Sequence, residues 1–170
     1  YVMKCTHQIE EKDLLDPSND NPKARTYRTW NTLLAEQKIE KYTQSFPFTL
    51  QTFCYIYKWN LPLTCASAVL LEPVLNHPRL NEQALVALFG TDALLLAKSA
   101  NAWRNFYPNI GDSSTATEPN LFILQWLFRQ LYLDYPNFNL FYLIIARHHA
   151  ELELVKSPAV ARETLAIYLP

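Results

Sequence analysis

The stretch LPLTCASAVLLEPVLNHPRLNEQALVALFGTDALLLAKSANAW, residues 61–103, decides the fold class. Its apolar residues recur at helical rather than alternating spacing: Leu63, Ala66, Leu70 and Val74 fall on one stripe of a helix that opens near Pro62. Asn81 is a good cap for a second helix, Gly90 a good left-handed stop, and Thr91 a cap for a third that runs through DALLLAKSANAWRNFY. One feature disturbs the pattern. Glu72 and Pro73 interrupt the apolar run, and Pro73 has no backbone N–H to donate to Val69, a cost of about 3 kcal/mol in a helix interior. A bend or a stop is expected there.

Outward from this stretch the same periodicity continues. SNDNP (18–22) is a loop ending in an Asn cap with proline at the first helical position. The helix that follows carries Tyr27, Trp30, Leu33 and Leu34 on one side. Another is expected from near Pro47 through TLQTFCYIYKW. Beyond the polar stretch PNIGDSSTATEPN (108–120), the expected mobile loop, helices are expected over about 119–134 and about 137–156, with a last one opened by Ser157 and Pro158. Only two glycines, Gly90 and Gly111, punctuate the chain. The expectation is an all-α, multi-helix bundle forming one domain over residues 1–170, with residues 1–21 as a mobile terminus. Because the chain opens at Tyr1 without a methionine and stops at Pro170 inside a helical pattern, it reads as a fragment of a longer parent.

Composition excludes several function classes. Lys+Arg of 15 against Asp+Glu of 16 leaves a net charge of −1, so no whole-domain field attracts nucleic acid or an anionic membrane. The longest apolar run, LFILQWLFRQLYL from Leu121, is broken by Gln125, Arg129 and Gln130 and falls short of the ~20 residues that cross a bilayer. No signal peptide is visible. Cys5, Cys54 and Cys65 lack paired spacing, and the last two sit in apolar stretches, which fits a reducing, cytoplasmic setting.

The side chains that could carry chemistry are few. His148 and His149 are adjacent, so on a helix they point about 100° apart and cannot clasp one metal as an i, i+4 pair would. His7 reads as a solvated residue of the terminus and His77, in NHP, as a capping residue. Nothing resembles a phosphate-cradling glycine loop, a nucleophile elbow or a zinc knuckle. Trp30, Trp59, Trp103 and Trp126 lie on apolar stripes of different helices and read as core; only in WRNFYPN (103–109) does an arginine, Arg104, sit beside aromatics that could face outward.

From residue 60 onward, LLEPVLNH and LFGTDALLLA, followed at the far end by LFYLIIARHHAELELV and PAVARETLAIYLP, resemble the metal-dependent hydrolase (HD) domain of RelA/SpoT-type alarmone proteins. The resemblance covers most of residues 42–170. It implies an HD-like helical bundle, with residues 157–170 starting the helix that leads into a (p)ppGpp synthetase domain. Active members of that family hold a divalent metal with His and Asp side chains, while a neighbouring Glu-Asp pair helps activate water. Carried over position by position, the first His falls at Phe46, the His-Asp pair at Glu72 and Pro73, the Glu-Asp pair at Asn76 and His77, and the last Asp at Arg147. Every one is changed. Phe46 and Pro73 donate nothing to a metal, and Arg147 is a fixed cation that repels one.

In RelA-like branches of the family, which make the alarmone without degrading it, an apolar residue and Pro stand where His-Asp would be, and LLEP resembles that pattern. The resemblance therefore implies a catalytically inactive pseudo-hydrolase with no cofactor, acting in the stringent response as a regulatory partner of an adjacent synthetase domain. Two alternatives stay open. Glu72, His77 and one of His148 or His149 could hold an atypical metal for residual (p)ppGpp hydrolysis. Or the old cavity could sense a guanine nucleotide, with Arg147 on its phosphate; against that, Arg147 could instead pair with Glu151 one turn on.

Overall fold

The computed structural model describes residues 9–41, 46–106 and 138–155. All elements among them are helical: α1 (Glu11–Leu15), α2 (Pro22–Glu36), α3 (Phe46–Lys58), α4 (Leu63–Leu71), a 3-10 turn (Glu72–Val74), α5 (Glu82–Phe89), α6 (Thr91–Phe106) and α7 (Phe138–Val155). The fold is an all-α, multi-helix bundle. The expected loop over 108–120, the helix over about 119–134 and the helix opened by Ser157 lie outside the described residues.

The bundle is built around α4. All but its first two residues are buried, and it packs against α2, α3, α6 and α7. A helix enclosed on all sides cannot keep a polar stripe, which is why TCASAVLL is apolar or small throughout. Around it, Tyr27 and Trp30 from α2 meet Phe53 and Phe46 from α3, with Tyr27 5.2 Å from the Phe53 ring centroid. These aromatics supply most of the bulk on that side of the core.

Local chemistry sets the helix ends. The Asn21 side chain accepts the Lys23 backbone N–H at 2.9 Å and Pro22 occupies the first turn of α2, as the sequence predicts. Asn81 caps α5 by accepting the Ala84 N–H at 2.7 Å. Gly90, at φ 88° and ψ 155°, separates α5 from α6, and the two helices are bent by 118° across it. Thr91, expected as a cap, is instead the first residue of α6: the Gly90 carbonyl accepts the Leu94 N–H at 3.3 Å, so one glycine both ends α5 and starts α6.

Within the expected terminus, residues 9–21 carry α1 and its connection to α2, and residues 1–8 lie outside the described residues. Leu14 of α1 is fully buried, and Arg28 of α2 reaches across to the carbonyls of Leu14, Asp16 and Asn19 at 2.8–3.1 Å. One guanidinium thereby satisfies three carbonyls of the α1–α2 connection.

Candidate functional site

The Glu-Pro interruption ends α4 where the backbone chemistry requires it. Glu72 still donates its N–H to the Ala68 carbonyl; Pro73 cannot make the next bond. The chain tightens into a 3-10 turn in which Leu75 N–H points back to the Glu72 carbonyl at 3.5 Å, followed by turns closed by His77 and Leu80. This change of pitch turns the Glu72 side chain toward α7 and leaves Pro73 exposed on the other side.

Glu72 meets Arg147 there. Its Oε2 lies 3.0 Å from the Arg147 Nη2, and both side chains are less than a tenth exposed. The guanidinium also lies over the Phe48 ring of α3, its Cζ 5.8 Å from the centroid. Two opposite charges taken out of water are tolerable only when they face each other, so this pair ties the end of α4 to α7 and α3. The Glu151 partner considered for Arg147 has a side chain outside the described set; the described partner of Arg147 is Glu72, on a different element.

Beside this pair lies a cavity of about 410 Å³, bounded by the end of α2, the start of α3 and the segment from Pro73 to Arg79. Its inner wall is apolar, from Trp30, Leu34, Phe46 and Val74, all buried. The Trp30 and Phe46 rings have parallel planes, 4° apart, with centroids at 6.4 Å. Its rim carries Lys38, Glu40, Lys41, His77 and Arg79. Lys41 is tied to Glu11, to Asn31 Oδ1 at 2.7 Å and to the faces of Tyr27 and Phe46, while the Tyr27 hydroxyl donates to the same Glu11 carboxylate at 2.9 Å.

The positions singled out in the sequence therefore separate into three places. Phe46, Pro73 and His77 line the cavity; Glu72 and Arg147 form the buried pair beside it; Asn76 is exposed. Arg147 does not line the cavity, so a phosphate there could not reach it while Glu72 holds it. His149 turns to α3, edge-on to Trp59 at 4.9 Å between ring centroids and 5.7 Å from Tyr55, which removes it from the Glu72 side of the site. Among the described residues no group of three or more His, Cys, Asp or Glu side chains is placed to hold a metal ion.

Sequence reasoning missed Trp30, Lys38, Lys41 and Arg79. Trp30 read correctly as core but not as a cavity wall. The basic residues belong to no motif and come together only because α2 ends beside the Pro78–Arg79 turn. No protein-family model, no curated protein and no solved structure significantly matches the chain.

Proposed function

We propose that this chain is a catalytically silent, metal-free pseudo-hydrolase domain of the RelA/SpoT type, which regulates an adjacent (p)ppGpp synthetase domain through packing contacts. The observation that carries the reading is the buried Glu72–Arg147 pair. At Glu72, where the resemblance places a metal-binding His, the acidic side chain faces Arg147, a cation that belongs to the chain itself and stands where the family's last ligand Asp would be. A divalent ion approaching Glu72 would meet the fixed charge of Arg147 first. Phe46, in place of a ligating His, is packed against Trp30 in the core and offers no donor. The nucleotide-sensing alternative loses its phosphate contact for the same reason, because Arg147 is engaged by Glu72.

The deciding experiment offers ppGpp and Mn²⁺ to the purified chain and follows pyrophosphate release, with bound metal measured in parallel. Neither turnover nor stoichiometric metal is expected. Mn²⁺-dependent release of pyrophosphate, abolished in Glu72→Ala, would overturn the proposal in favour of a residual hydrolase.

A further inference from the structure

We propose that the cavity between the end of α2, the start of α3 and the Pro73–Arg79 segment is a binding site for a small organic anion with a flat apolar ring, its charged group seated by Lys38, His77 and Arg79. The inference does not rest on the hydrolase reading: Trp30, Lys38 and Arg79 have no place in that motif, and Phe46 and His77, which do, enter here only as cavity lining.

Size and lining set the ligand class. At about 410 Å³ the cavity falls within the range of small-molecule sites, roughly 300–1,000 Å³. Its apolar wall, with the Trp30 and Phe46 rings in parallel planes, suits a flat ring rather than a sugar or a bare ion. The rim supplies the charge preference. Lys41 is already matched by Glu11, which leaves Lys38 and Arg79 against Glu40, the one carboxylate lining the cavity among the described residues. A cationic ligand would face both Lys38 and Arg79, and a neutral one would leave them unused.

The rim donors are held in place by the backbone. Arg79 donates through Nη1 to the Gln37 and Lys38 carbonyls, both at 3.0 Å, which fixes its guanidinium at the mouth and leaves Nε and Nη2 with further N–H donors. Lys38 sits at φ 51°, closed by its N–H on the Ala35 carbonyl at 3.1 Å. Its ammonium makes no ion pair among the described residues. His77 accepts the Arg79 backbone N–H at Nδ1, 3.3 Å, so in the neutral ring the proton resides on Nε2, which becomes a donor. Three donors of different kinds thus edge one apolar wall.

The test titrates the whole chain with 2-naphthoate and, separately, with neutral 2-naphthalenemethanol at low salt, following the Trp30 indole N–H signal by NMR after its assignment with Trp30→Phe. A saturable shift is expected for the carboxylate, with affinity about fivefold or more above the alcohol and weakening as salt rises. Lys38→Glu, an exposed change that keeps an unbranched side chain at the same φ, should weaken naphthoate by at least about fivefold without moving the thermal midpoint. Lys38→Asn, suited to the left-handed backbone, should fall between the two. The proposal is overturned by no saturable shift up to about 5 mM, by equal affinity for the acid and the alcohol, or by Lys38→Glu and Lys38→Asn binding as well as the parent. Loss of pyrophosphate chemistry or its presence leaves this result unaffected, so the two readings fail separately.

Discussion

Replacing Arg147 with Met should be among the most damaging single changes in the described core, while pairing it with Glu72→Leu should undo most of the harm. At the observed 3.0 Å, two unit charges interact by about 5 kcal/mol at an effective dielectric of about 20. Removing the cation keeps the Glu72 carboxylate inside, less than a tenth exposed, and takes this attraction away. Breaking one side of such a buried pair costs about 3–5 kcal/mol. Met retains contact with the Phe48 ring through its thioether, so the loss of the cation over that ring adds little. For a domain of this length, that corresponds to a fall in Tm of roughly 10 °C. In the double variant both charges are gone and two side chains of suitable size remain, so stability should return to within about 1–2 kcal/mol of the parent or exceed it. Urea denaturation of the parent, both single variants and the double gives the coupling energy directly. An Arg147→Met penalty under about 1 kcal/mol, or a double variant as unstable as the sum of the singles, would sink the argument that the pair is a buried, mutually dependent unit.

Three further outcomes follow from other places in the fold. Gly90→Ala should cost about 1–3 kcal/mol, measured by chemical denaturation: a Cβ would meet nothing within 4 Å, so the penalty is purely that of φ 88°, ψ 155°. A loss below a few tenths of a kcal/mol would mean that the α5–α6 corner relaxes freely. Asn81→Ala should lose about 1 kcal/mol by removing the cap on Ala84, and Asn81→Asp should retain most of it. Burial pushes the Cys54 thiol up to about 11 and the Cys65 thiol up to about 12, from 9.0. Folding therefore favours the neutral thiols: their contribution is intact below pH 9 and is lost as pH rises from 9 through 11 and 12. The Cys54→Ala/Cys65→Ala variant should show a shallower fall of stability over that window, and an unchanged slope would refute the assignment.

Where the sequence carried a backbone constraint, the helices could be placed closely. Asn21 with Pro22, Asn81 and Gly90 each fix a terminus through a bond or a dihedral angle that few other residues supply, and each sits at the boundary it predicts. Pro73 likewise stops α4 within two residues of where its missing N–H is needed. Short elements were less legible. Five residues of α1 are too few to show a period, and its place depends on Arg28 reaching its carbonyls from the next helix. The site was half legible. Glu72, Pro73, His77, Phe46 and Arg147 do gather at one end of α4, but the partner of Arg147 could not be chosen by spacing. The pair one turn along α7 and the pair across the bundle are equally compatible with the sequence, and only packing brings Glu72 to 3.0 Å. The cavity rim was invisible for a related reason: Lys38 and Arg79 are 41 residues apart and meet through a side chain on a carbonyl, a contact with no pattern of its own.

The Arg147 guanidinium also changes what kind of quantity describes the site. A bound ion has an occupancy set by its concentration and its dissociation constant, and it stabilises a fold only as far as mass action allows. A cation carried on α7 has neither: it is at Glu72 whenever α7 is docked and absent whenever α7 leaves. The charge balance at the end of α4 is thereby tied to the position of one helix. Any movement of α7 would be felt at Glu72, at the end of α4, as the loss of the Arg147 counter-charge.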